Sequence, residues 1–373
     1  MPKPTFLSAL LFCVASLTNG ARLWVDTTPQ TPIPYALKKG DGIKLGDNTF
    51  PVVGNSSGKA FCIMNTNGGS SGGAGVFPHV HKKTYENFYT VKGRVQLWGQ
   101  NLDGYLTNTS VQQTRQLASG DIGAIPPNTI HTFTLLEPDT QLTGVLVPGG
   151  FEEFFFHMSF EAPPDPGANS SLPGAGGFGI PELAEWDVYP HTDFVPRRDV
   201  VNGKAGPGNW YDGPNTLPPD MSAPIWVAKN YGPKYLNSKD GRYHIIAPFV
   251  TGEQTNGTFS QGTITLSPFE ADKEAPVVTS EVAHAFMVEE GQLEVTVDKY
   301  DTVSLIDGDV VFVPGNVSFS YAAAAKFTKF MYVTGGGSGL DATLIAEGKE
   351  WNSAFYPESS AESMARGSAF FKI

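Results

Sequence analysis

Apolar residues in this chain fall in short runs, cut by glycine and proline before any helical period can build. "NFYTVKGRVQLWG" reads as an apolar-rich strand, a glycine turn and a second strand, and "AFMVEEGQLEVTV" repeats that form around Gly291. Further on, "SGDIGAIPPNTIHTF" (Ser119 to Phe133) is echoed by "DGDVVFVPGNVSFSY" (Asp307 to Tyr321). Short runs bounded by turn residues predict strands. Two echoes in the same order are an internal duplication, one repeat per half. The pattern predicts an all-β chain built as two jelly-roll β-barrels.

The expected organisation follows. Residues 21–156 form the first barrel and 220–352 the second, with a Pro/Gly/Ser-rich connector over 157–219 and a polar tail over 353–373. A connector of that length is not expected to be structureless, so part of it should pack on a barrel, with "AEWDVY" (Ala184 to Tyr189) as an ordered piece. Residues 1–20 read as a secretory signal peptide: Lys3, an apolar run from Phe6 to Ser16, then small residues to Gly20. That run is too short to span a bilayer.

Composition changes the picture in two places. A formal net charge of −12 argues against nucleic acid or an anionic membrane as partner, since both reward basic patches. Asn55, Asn108, Asn169, Asn256 and Asn316 head N-x-S/T sequons, as expected of a secreted glycoprotein. Cys13 falls in the signal segment, so Cys62 alone remains; it sits in "AFCIM" and reads as a buried, inert thiol.

The candidate chemistry lies in "HVHKKTYE". His79 and His81 are two apart, so on a strand both side chains leave the same face. Glu86 has the wrong parity for that face, so the chain between must turn and bring it in from the next strand. His131 follows a Pro–Pro–Asn turn able to start a third strand. Three imidazoles and one carboxylate suit Cu, Fe, Mn, Ni or Zn. In the second half, counting back from Gly291 as from Gly93, the matching places hold Val277, Thr279, His284 and Phe319. A metal-free second barrel is expected, with His284 a satisfied core or interface histidine.

These residues resemble the cupin superfamily. Its first motif stands here as Gly75, His79, His81, Glu86 and Gly93, and its second as Gly120, Pro126 and His131, without the Asn that often ends it. The stretches "HVHKKTYENFY", "GDIGAIPPNTIHTF", "TGVLVPGGFEEFF", "GPKYLNS" and "APFVT" look like fungal quercetin 2,3-dioxygenases, secreted copper bicupins, over nearly the whole mature chain. The resemblance implies one Cu(II) per chain on His79, His81 and His131 with Glu86 bound or close by, though other divalent first-row metals serve the same ligand set in relatives. It implies a flavonol and O2 as small-molecule partners, with Glu86 taking the 3-hydroxyl proton, and release of carbon monoxide and a depside. By position, Met64, Phe133, Leu142, Gly144 and Leu146 would line the substrate slot. Asn48 stands near a place where family members carry a Tyr, which removes the expectation of a tyrosine hydrogen bond to substrate. A homodimer is compatible with the sequence.

Two other readings compete. An oxalate-degrading Mn bicupin would commonly carry ligands in both barrels and would need a cation for a small dianion. A storage-type bicupin would tend to lose the ligands altogether. The intact first set and the altered second set disfavour both.

Overall fold

The computed structural model describes residues 20–68, 76–161, 180–207, 216–269 and 274–357. Residues 1–19 of the expected signal segment, Gly75, Asn169, most of the Pro/Gly/Ser-rich stretch and the tail beyond 357 lie outside them. Almost every regular element described is a strand, and the sheets pair antiparallel throughout. Helices among the described residues are short, the longest being Glu152–Glu161. No helix among the described residues is long and apolar enough to cross a membrane.

Two sheets make each half. In the first, a seven-stranded sheet runs in the order Ile225–Val227, Ile122–Ile125, Tyr85–Lys92, Gln141–Val147, Cys62–Asn67, Asn48–Val52, Ile43–Leu45. It faces a six-stranded sheet ordered Tyr189–Pro190, His79–Val80, Thr129–Leu135, Arg94–Asn101, Gln113–Ala118, Lys204–Ala205. The second half repeats the plan with sheets of eight and four strands. These are the two jelly-roll barrels that the duplicated strand–turn–strand pattern predicts.

The first seven-stranded sheet is buried on both faces, which explains its near-continuous apolar runs. One face turns into its own barrel with Phe88, Leu142 and Leu146. The other, with Tyr89, Val145 and Val147, joins Phe249, Phe259, Met287 and Val333 of the second half in one shared core. Across that core the buried Asn87 Nδ2 donates to Gln261 Oε1 at 2.7 Å, satisfying polar groups that would otherwise be costly to bury.

The sheets do not follow the division at 156 and 220, because each half lends the other a strand. Tyr35–Leu37 pairs with Val310–Val313 of the second barrel, and Ile225–Val227 pairs with Ile122–Ile125 of the first. The Gly–Asp pair common to both repeats ties each lent strand. Asp121 Oδ1 accepts from the Lys229 backbone N–H at 2.7 Å, and Asp309 Oδ1 accepts from the Lys39 backbone N–H at 2.9 Å. Gly120 and Gly308 hold φ of 90° and 80°, and a Cβ on either would strike the side chain of Lys229 or Lys39. The duplication therefore extends to the way the halves lock together.

Connector residues complete the first barrel. Tyr189–Pro190 pairs with His79–Val80, and Lys204–Ala205 pairs with Gln113–Ala118. The fully buried Arg115 donates to the carbonyls of Ala205 and Pro207, which holds this return segment. Cys62 is a free, buried thiol.

Candidate metal centre

His79 lies directly opposite His131 across the pairing of their strands, and directly opposed residues share a face. His81, two positions on, enters beside them. Glu86 comes from the facing sheet, where it stands opposite Leu146 and Ile125. The parity problem in "HVHKKTYE" is solved by a turn at Lys82–Thr84 that carries the chain from one sheet to the other. The four side chains therefore meet between two sheets.

Each imidazole is held by its Nδ1. His79 Nδ1 donates to Phe77 O at 2.9 Å, His131 Nδ1 to Thr129 O at 2.9 Å and His81 Nδ1 to Asp187 O at 2.7 Å. A carbonyl accepts only from a protonated nitrogen, so the neutral rings carry the Nδ1 proton and turn a bare Nε2 inward. Glu86 Oε2 lies 3.1 Å from His81 Nε2, 3.0 Å from His131 Nε2 and 4.0 Å from His79 Nε2. His79 Nε2 is 3.2 Å from His81 Nε2. All four ligand atoms lie within 4.8 Å of one another. Their residues are between 1% and 6% exposed.

Lone pairs packed this closely repel unless a proton or a cation sits among them. Burial, reinforced by the neighbouring His131 and His81, holds His79 well below its ordinary pKa. Burial also opposes charge on His81, but the hydrogen-bonded Glu86 carboxylate outweighs it and raises the value. Glu86 is pulled below the usual carboxylate range, because hydrogen bonds from His131 and His81 overcome its burial. A proton on His81 is thus favoured by Glu86, and a metal ion would take its place. Three nitrogens and one oxygen fit a divalent first-row metal.

No family model matches the chain. A quercetin 2,3-dioxygenase of Aspergillus japonicus is 42% identical over 319 residues, 83% of this chain and 89% of that protein. The chain belongs to the quercetin 2,3-dioxygenase family. It is a metal-binding dioxygenase of the cupin type. A quercetin 2,3-dioxygenase of Bacillus subtilis (strain 168) is 34% identical over 132 residues, 34% of this chain and 35% of its own length. Among solved structures, an oxalate decarboxylase from Bacillus subtilis shares 16% identity at a TM-score of 0.46, covering 86% of this chain and 78% of that one. That likeness is too loose to bear on activity.

In this dioxygenase the positions matched to a substrate slot all lie on the inner walls of the first barrel. Met64 and Leu146 pack with Phe50 and Cys62 on one side, and Phe133 and Leu142 pack with Phe88 on the other. Gly144 stands opposite Met64 and Phe88. A Cβ there would meet only Met64, at 3.6 and 3.7 Å, so the glycine faces open room. Asn48 accepts from the Thr66 hydroxyl at 2.8 Å, a partner within its own sheet.

Three aromatic neighbours escape the sequence reading. Phe88 lies two residues after Glu86, with its ring 6.0 Å from His131 and 5.3 Å from Phe133; period two along the strand would have found it. Phe77, two before His79, is 5.5 Å from that ring and carries the same signal. Phe151 stands edge-on to His81 at 4.7 Å and has no local spacing to announce it. Among the sequons, Asn108, Asn256 and Asn316 are exposed at positive φ, whereas Asn55 is half-buried and donates to Gln30 Oε1.

Proposed function

We propose that this dioxygenase holds one Cu(II) per chain on His79, His81 and His131, with Glu86 bound or close by. Its substrates are flavonols such as quercetin, whose heterocyclic ring is opened with O2 to give a depside and carbon monoxide. The observation that carries this reading is the Nδ1-anchored triad of imidazoles, facing one buried carboxylate inside an apolar barrel. When bound, the metal supplies a Lewis acid that stabilises a phenolate and a redox partner for O2. A phenol-like hydroxyl near pKa ~10 needs a base and a cation to ionise at neutral pH. Glu86 is held ionised, the form that accepts a proton, and His81 and His131 orient its Oε2. Phe133, Leu142, Met64 and Leu146 offer the apolar walls that a flat polyphenol requires, and Gly144 leaves space between them.

We also propose secretion through residues 1–20 and glycosylation at exposed sequons. The decisive experiment uses the natively secreted protein. Elemental analysis should find about one copper per chain, and a flavonol assay should show loss of the yellow substrate with one carbon monoxide per turnover. A protein that carries manganese and turns over oxalate, or that releases no carbon monoxide, would overturn the reading.

A further inference from the structure

Of the three imidazoles, two are anchored by the backbone just before them. His79 and His131 each donate Nδ1–H to the carbonyl two residues back, Phe77 and Thr129. His81 donates instead to Asp187, 106 positions away in the connector. The same residue grips the turn that separates His81 from Glu86. Asp187 Oδ1 accepts from the Lys82 N–H at 2.9 Å, and Oδ2 from the Lys83 N–H at 2.9 Å, the Thr84 N–H at 3.0 Å and the Thr84 hydroxyl at 3.0 Å. Three successive backbone N–H groups facing one carboxylate form an anion-binding nest.

Asp187 sits at φ 61°, a left-handed conformation that Asp and Asn adopt more easily than most residues. That conformation lets its carbonyl and its carboxylate address neighbouring parts of one loop. Around it the connector is fixed: Trp186 and Asp187 close turns back to Leu183 and Ala184, and Tyr189–Pro190 pairs beside His79.

We propose that Asp187 is a positioning residue of the metal centre, which sets the tautomer and orientation of His81 and the spacing between His81 and Glu86. The connector is thereby part of the site and not only a tether between barrels. This rests on the metal-ligand reading above, and the test separates the two. Asp187→Asn tolerates the left-handed φ but offers an amide NH2 to N–H donors that need acceptors, which displaces the Lys82–Thr84 turn from Asp187 and with it His81 from the Asp187 carbonyl. Thr84→Val removes one hydrogen bond from the same carboxylate and is the milder variant.

The first measurement uses metal-free protein and reads the ring nitrogens by ¹⁵N NMR. The native His81 should keep a proton on Nδ1, held by the Asp187 carbonyl. In Asp187→Asn only His81 should change, while His79 and His131 keep their pattern. The second measurement titrates Cu(II) alone against a competing chelator and records the Cu(II) electron paramagnetic resonance spectrum. Affinity should fall roughly 10–100-fold, the range for residues that orient a metal-ligating histidine, with an altered nitrogen hyperfine pattern and a smaller change in Thr84→Val. An unchanged His81 ring, an unchanged Cu(II) affinity, or equal disturbance of all three rings would overturn the proposal. A native protein that binds no Cu(II) yet shows the His81-specific change would sink the copper reading and support this one.

Discussion

Strand register aligns the two barrels residue by residue and shows what separates a metal centre from a filled core. Glu86 and His284 hold the same place, since Glu86 pairs with Ile125 and Leu146 as His284 pairs with Val313 and Thr334. His131 corresponds to Phe319, Phe133 to Tyr321, Phe88 to Phe286 and Gly144 to Tyr332. In the first barrel, three inward-facing ring nitrogens and a carboxylate converge beside a glycine that leaves room. In the second, Phe286, Phe319, Tyr321 and Phe330 pack ring to ring around that point. His284 accepts the Leu340 backbone N–H at 3.1 Å, at the start of the helix Leu340–Ala346. One scaffold therefore serves either chemistry or packing, and the choice rests on a handful of inward positions.

The sharpest way to break this comparison is to remove a ligand that the second barrel lacks. His131→Ala should abolish metal loading and turnover, a loss beyond the roughly 10–100-fold expected of residues that only orient a ligand. Metal analysis of the purified variant checks it, and full occupancy would refute the assignment. Glu86→Gln follows. It keeps three imidazoles but forfeits the base, so some metal should remain while turnover falls by about 10²–10⁴-fold. Unchanged single-turnover rates would remove the base role.

Much of this contrast is legible in the order of the residues alone. The spacing of His79, His81, Glu86 and His131 carries the centre, because two same-face positions on one strand and two turn-led entries leave few arrangements. The echo of "SGDIGAIPP" in "DGDVVFVPG" carries the second barrel. A direct count from Gly291 puts Val277 in the place of His79, whereas the register sets Val278 opposite Phe319. The turn before His284 is one residue shorter than its counterpart, and only pairing reveals that. The lent strands are likewise hidden. "YAL" and "IWV" are short apolar runs with nothing in them to say which sheet they join. Asp187 is hidden for a related reason: its role depends on a contact across 106 positions, for which local spacing holds no signal.

The second barrel's counterpart of Glu86 sharpens the comparison from the other side. His284→Ala should leave metal content untouched. It should cost about 2–4 kcal/mol by orphaning the Leu340 N–H and opening a cavity beside Phe286 and Phe319. Burial lowers His284 to about 4, against about 6.5 for an unfolded histidine. Between those values the unfolded chain binds a proton that the folded chain refuses, so stability falls as pH drops through the window, by on the order of 3 kcal/mol. The buried His244, also lowered to about 4, adds a similar slope. Urea unfolding from pH 7 to pH 4 should therefore show a shallower loss in His284→Ala than in the native protein. A parallel slope would mean that His284 is not buried neutral.

The smallest effect compares two glycines. Gly144 faces Met64 in the first barrel, while in the second the large and small residues are reversed, with Gly262 facing Tyr332. Gly144→Ala meets Met64 at ordinary contact distance, so its stability should stay within about 1 kcal/mol of the native value. An added methyl in a substrate slot should lower kcat/KM for flavonols by up to roughly 10–200-fold. Gly262→Ala places a Cβ 2.5 Å from Ala247 O and 2.6 Å from the Tyr332 hydroxyl. Overpacking of that kind costs about 1–3 kcal/mol, and it should leave flavonol kinetics unchanged. Measured together, the pair divides room from packing. If Gly144→Ala loses stability and keeps its kinetics, the space beside the metal centre is core and the slot lies elsewhere.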